Sequence, residues 1–294
     1  MKCTLAHYRN RFCMYRTYYA LGEGIIQPEG FDLDVIEVPD PPSHAQEEAL
    51  IRGEVEFANL YLPNFLKRKI EGAPIVGLST EWKSTSKGNG IFVRKDGPVR
   101  TPRDLAGRLI ASHHSDPHAM HCYLLRKHYH VDDSTLTWES HPQEELLEIL
   151  KTGKADAVVL IDQFFFLGEN DPDVRCLYTD GDAWNGLHGL PEIIKHMLAT
   201  RAAVLQEHPE FREQILAACR KSIAYSDEHM DEIADKFIAK YGGAKEAIVA
   251  SARYPNIVFT FTDTERREAE ATMDMLIETN RLEGRVDLSK AFAV

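Results

Sequence analysis

The strongest constraint on this chain is a unit that recurs along it: a helix-starting residue, a short helical run, a glycine, then an apolar strand. HAQEEALIR ends at Gly53 and VEFANLY follows; Pro63 starts NFLKRKIE, Gly72 ends it, and APIVGLST follows. Thr101 and Pro102 open PRDLA, Gly107 stops it, and RLIAS is next; Pro142 opens QEELLEILK, Gly153 closes it, and ADAVVLI follows. A hydroxyl before a helix accepts from the free N–H groups of the first turn, and proline at the first position loses no bond. Glycine just past the end tolerates the left-handed conformation that closes the helix. Strands alternating with helices of about ten residues build βαβ units and a largely parallel sheet.

The unit occurs in two runs, roughly over 1–80 and 100–162, separated by the polar EWKSTSKGNG. After 162 comes a glycine-rich passage, then PEIIKHMLATR with the look of a strand, and then helical sequence to the end. These features predict a two-lobed α/β protein, with residues 1–86 plus 188–294 in one lobe and 87–187 in the other. A ligand cleft is expected between the lobes, because open α/β sheets bind ligands outside the carboxyl ends of their strands.

Composition narrows the partners. With 46 acidic against 34 basic residues the formal net charge is -12, which disfavours nucleic acid and anionic membrane surfaces. No stretch approaches the roughly 18 apolar residues of a bilayer span. No apolar segment follows Met1, so a cytoplasmic location is expected. Cys3, Cys13, Cys122, Cys176 and Cys219 are dispersed and form no CxxC, a pattern of reduced thiols. Association into a homo-oligomer is left open.

The strand-end rule selects the candidate site. Ser112 to His130 holds six of the thirteen histidines. Ser112 ends a predicted strand, His113 and His114 form the turn, and a helix is expected from Pro117. Unsatisfied N–H groups at such a helix start favour an anion, and imidazole titrates near neutrality. His118, His121 and Cys122 share one helical arc, but no second cluster completes a zinc or iron site. The arc is expected to be core, with no metal and no cofactor. Arg9 and Arg11 follow the first strand, where a guanidinium pairs bidentately with carboxylate, phosphate or sulfonate. Asn59 and Tyr61 end the third strand as neutral hydrogen-bonding groups. Lys83 and Ser84 lie in the polar first crossing, and Asp162, after VVLI, is a hinge cap or an acid facing the ligand.

The segments MKCTLAHY, IIQPEGFDLDVIEV, RGEVEFANLYLPNFL, GIFVRKDGPVRTPRDLAGRLI and HPEFREQILAACRKS stand in the order seen in type II periplasmic-binding-protein folds. Within that superfamily the chain most resembles the cytoplasmic branch typified by 4,5-dihydroxyphthalate decarboxylase, although Tyr8-Arg9-Asn10-Arg11 lacks that branch's acids. The resemblance implies a lyase, a decarboxylase of a small aromatic carboxylate. Arg9 and Arg11 would hold carboxylates, Asn59 and Tyr61 orient the ring, and His113 or His114 deliver the proton. One alternative is a solute-binding protein of an ABC-type transporter for a small organic anion. Another is a desulfinase- or thiamine-precursor-type enzyme; similar desulfinases place a cysteine near the position of Cys13.

Overall fold

The computed structural model describes residues 1–38, 44–113 and 115–293, with the backbone alone at 115–117. His114, one of the two candidate proton donors, lies outside the described residues. Strands are β1 (Lys2–Tyr8), β2 (Asp32–Val38), β3 (Phe57–Tyr61), β4 (Ile75–Ser84), β5 (Asn89–Arg94), β6 (Leu109–Ser112), β7 (Thr137–Ser140), β8 (Ala157–Ile161), β9 (Val174–Thr179), β10 (Ile193–Arg201) and β11 (Asn256–Ile257).

They form two sheets, ordered β11-β4-β10-β3-β1-β2 and β7-β6-β8-β5-β9. The chain divides correspondingly into two compact units: 1–83, 194–245 and 256–294 in the first, 84–193 and 246–255 in the second. The return of 246–255 to the second unit has no counterpart in the sequence reading.

Within the first unit, β1 runs parallel to both β2 and β3. β10 inserts beside β3 in the opposite direction, with His196 opposite Tyr61. In the second, β6 is parallel to β7 and β8 while β5 is antiparallel to β8 and β9. The expectation of largely parallel sheets holds for β1 with β2 and β3 and for β6 with β7 and β8; two exceptions, β5 and β10, are the first strands laid down after the chain changes unit, and each enters its sheet reversed. Reversal has a functional effect, since it brings the amino-terminal ends of β5 and β10 to the edge where their neighbours end.

Alternation within the strands sets the cores. Cys3, Leu5, Phe57 and Leu198 pack with Tyr18 and Leu21 of the helix Phe12–Gly22 and with Phe211, Ile215 and Cys219 of the helix Phe211–Glu228. Phe92, Ala111, Val158 and Leu160 pack with Leu146, Leu150, Phe165 and Phe166 in the second unit. Each large side chain so buried contributes about 1.5–3 kcal/mol.

Two backbone features fix the segments around the second sheet's edge. Asp162 starts its helix at φ 50°, a left-handed conformation uncommon for a residue other than glycine, and its N–H donates to the Gly88 carbonyl at 2.8 Å. Gly181 lies so close to the crossing segment that a Cβ there would sit 2.0 Å from the Thr85 carbonyl oxygen. Only a glycine allows that approach.

Candidate functional site

At the carboxyl end of the first sheet, three rings gather around one imidazole. His196 meets Tyr8 edge-on at 5.8 Å, Trp82 edge-on at 5.8 Å and Tyr61 at a tilt, 5.6 Å away. Tyr8 and Tyr61 are the last residues of β1 and β3, Trp82 lies two residues before the end of β4, and His196 lies near the start of reversed β10. Tyr8 is sealed, whereas Tyr61 and His196 remain half-buried. Arg9, Asn10 and Arg11 follow directly. The Arg9 N–H donates to Val38 at 2.9 Å, Asn10 takes φ 56°, and the Arg11 carbonyl accepts from Tyr15 at 2.8 Å to begin the first helix. The Arg9 side chain is exposed and that of Arg11 half-buried. The edge thus joins a partly exposed pair of rings, Tyr61 and His196, to a β1 end whose next residues carry two arginines, a combination that suits an organic anion with a hydrophobic body.

Behind it lies a sealed polar cluster. Asn59, fully buried, donates its amide N–H to Glu81 Oε2, and the Tyr18 hydroxyl donates to the same oxygen at 2.6 Å. Asn59 therefore serves the edge from behind; in this structure its amide nitrogen is turned to Glu81. Burial pushes the Glu81 carboxyl up to about 7, against the pull of the two donated bonds. Burial likewise raises the Tyr18 phenol well above its ordinary value. His7 stacks on Tyr18 with centroids 5.1 Å apart, and burial pushes its imidazole down to about 4 despite a bond with the Tyr8 carbonyl. Glu81 Oε1 and Asn59 Oδ1 are buried and have no hydrogen-bond partner among the described residues.

Lys83 does not lie in an exposed crossing. β4 continues through Glu81, Trp82 and Lys83 to Ser84, all of them buried. The Lys83 ammonium meets Glu265 at 3.2 Å and Glu268 at 3.1 Å, and this pairing is what allows charge inside a strand. Ser84 is also sealed, so neither residue presents the open, anion-holding surface that the polar sequence suggested.

In the second unit, Ser112, His113 and Asp162 fall at the carboxyl edge of the sheet, as strand β6 and strand β8 place them. Ser112 is fully buried and its hydroxyl bonds His118 Nε2; His118 stacks on Trp138 at 4.4 Å and 26°. His113 and Asp162 are half-buried. The helix after β6 starts at Ser115, two residues before the expected Pro117. His121 faces inward, fully buried, with Nδ1 3.0 Å from the Tyr178 hydroxyl. His118 and His121 are thus engaged with different partners. Among the described residues no group of three or more His, Cys, Asp or Glu is arranged to hold a metal ion. Cys13 is buried within the first core.

Sequence reasoning missed Glu81, Trp82 and His196. PEIIKHMLATR was legible as a strand, but its direction was not, and direction alone puts His196 opposite Tyr61 at the carboxyl end of β3.

Sheet order, the reversed strands and the two units define a mixed α/β protein with the fold of type II periplasmic binding proteins. The chain belongs to the NMT1/THI5-like family, whose model matches residues 14–233. It is similar in structure to the periplasmic aliphatic sulphonate binding protein SsuA from Escherichia coli, with a TM-score of 0.78 and 15% identity over 100% of this chain and 92% of that one. It is also similar to the alkanesulfonate-binding protein SsuA from Xanthomonas axonopodis pv. citri bound to MOPS, with a TM-score of 0.74 and 15% identity over 99% and 98%. A third similar structure is a DszB mutant in complex with biphenyl-2-sulfinic acid, with a TM-score of 0.69 and 14% identity over 99% and 96%. No curated protein matches the chain in sequence. Among the described residues, no helix is long and apolar enough to cross a membrane.

Proposed function

We propose that this protein binds a small organic anion of the sulfonate or sulfinate type, and that the carboxyl edge of its first sheet contributes the recognition. The observation that carries the reading is the cluster of Tyr8, Tyr61, Trp82 and His196 at the end of the sheet where β1 runs on into Arg9 and Arg11. The guanidiniums pair with the charged group and the rings cover the organic body. Support comes from similar structures: one is an aliphatic sulphonate binding protein, another is bound to MOPS and a third to biphenyl-2-sulfinic acid, all oxyanions of sulfur on an organic frame. A solute-binding role fits this site better than the decarboxylase reading, since the Asn59 amide assigned to orienting a ring is sealed against Glu81.

Calorimetric titration with a panel of alkyl and aryl sulfonates, sulfinates and carboxylates tests the reading. Arg9→Ala or Arg11→Ala is expected to weaken the best binder by about 1.5–3 kcal/mol, the range for one charged hydrogen-bonding contact. His196→Ala is expected to lower affinity for aryl members more than for methanesulfonate. No binding anywhere in the panel, or equal affinities in all three variants, overturns it. Assaying the same mixtures for carbon dioxide and sulfite release separates binding from turnover.

A further inference from the structure

We propose that anion binding at the first unit's edge is coupled to proton uptake by Glu81, the carboxyl group sealed behind the rings. The inference rests on the anion-binding reading above and assigns its regulation. Three observations carry it. Asn59, two residues before Tyr61 in β3, shares a face of the sheet with it and bonds Glu81 of β4, so the pair lies one step back from the edge. The carboxyl is fully buried, out of reach of the bulk solvent that would screen it from a nearby anion. Its Oε1 and the Asn59 Oδ1 lack hydrogen-bond partners among the described residues, so the cluster under-solvates a full negative charge.

Among the described residues, the side chains that bond Glu81 are uncharged; β10, which lies between β3 and β4, carries Lys195 and His196, the latter against Trp82. From the first helix comes Tyr18 and from β3 Asn59, both donating to Oε2. From the helix Phe211–Glu228 comes the Cys219 thiol, which burial holds protonated by raising its pKa well above the ordinary value. Arg220 beside it turns away to the Phe259 carbonyl, 2.7 Å distant. His7, reached through Tyr18, is kept neutral near pH 7 by burial. On β4 itself the Lys83 charge is taken up by Glu265 and Glu268. Arg9 and Arg11 pair with the anion at the rim, but among the described residues the groups bonded to Glu81 are neutral, and protonation of Glu81 is the response we assign to the added negative charge. Its carboxyl, held at about 7 without ligand, then moves higher when an anion arrives.

Benzenesulfonate stays ionised across the useful pH range, so any proton taken up belongs to the protein. Its titration in phosphate and in Tris, whose ionisation heats differ, reads the uptake directly. Uptake is expected to peak somewhat above pH 7 and to vanish near pH 5, where Glu81 is already protonated. Affinity should fall about tenfold from pH 6 to pH 9 for a shift of one pKa unit. Glu81→Gln, permanently neutral and of the same shape, should abolish uptake and hold affinity at its acidic value throughout. Tyr18→Phe removes a bond to the carboxylate and should move the midpoint to higher pH; it decides the matter alone if the glutamine variant fails to fold. Binding without uptake, or uptake unchanged in the folded variants, overturns the coupling and leaves the anion-binding reading standing. Absence of binding by every anion in the panel overturns both.

Discussion

The two units solve the problem of a polar interior differently. Among the described residues the first seals Arg16, Glu47, Glu81, Lys83, Lys195, Glu265 and Glu268, whereas Asp180 is the one ionised-type side chain of the Asp, Glu, Lys and Arg set sealed in the second. There the buried polar groups are chiefly hydroxyls, amides and the His121 imidazole. A neutral group needs one partner within reach, but a buried charge needs opposite charge or several donors. The first unit draws those partners from far along the chain: Lys83 pairs 182 and 185 residues away, and Arg16 bonds Asp227 at a separation of 211. Its stability is accordingly more exposed to single changes and to pH.

The sharpest way to break the comparison is to remove one lysine from each unit. Lys83→Met leaves Glu265 and Glu268 facing each other without their cation and is expected to destabilise the protein by about 3–5 kcal/mol in urea unfolding. Lys87→Met removes the exposed pair with Glu169, 3.1 Å apart, and should change stability by no more than about 1 kcal/mol. Equal losses would show that the sealed triad is not what holds the end of β4.

Next in size are two opposed pH effects, both in the first unit. Glu81, raised in the fold, favours the folded state at low pH and loses that contribution as pH rises from about 4.5 to about 7. His7, depressed in the fold, contributes fully above about 6.5 and loses its contribution as pH falls to about 4. Each spans roughly 3 kcal/mol at 1.36 kcal/mol per pKa unit. Their slopes cancel between about pH 4.5 and 6.5, so thermal stability should be flat there as far as this pair is concerned. Glu81→Gln should unmask the histidine and make stability climb with pH over that window. A variant whose profile stays flat would remove Glu81 from the account.

The smallest effect belongs to the second unit. Tyr178→Phe deletes the hydroxyl bonded to His121 and should destabilise by about 1 kcal/mol, with no change in the pH profile of anion binding.

The same contrast explains what could be read from the sequence. The βα units were legible because caps, glycines and apolar runs are local signals, and the strand ends at Tyr61, Ser112 and Ile161 follow from them. EWKS was read as part of a polar crossing because glutamate and lysine are rarely buried. What makes it strand is the company of Tyr18, Asn59, Glu265 and Glu268, none of which is near it in sequence. His196 was hidden for a related reason: whether a strand enters a sheet forwards or reversed depends on the path of the whole chain. The place of Arg9 and Arg11 after β1 was legible because the first strand is short and its end is unambiguous.

The interleaving of the units bears on how the molecule is made. The ribosome delivers β1, β2, β3 and β4 early, yet β10, which separates β3 from β4 in the finished sheet, emerges more than a hundred residues later. Until then two strand edges that will be interior lie open to mispairing or to capture by a chaperone. The second unit, complete at residue 255, is finished while the first still lacks 256–294. Glu265 and Glu268, the counter-charges of Lys83, arrive in that last stretch. A nascent chain stalled before residue 256 would therefore hold a completed second unit beside a first one with an unneutralised lysine at its centre, a natural point for quality control to distinguish unfinished molecules from finished ones.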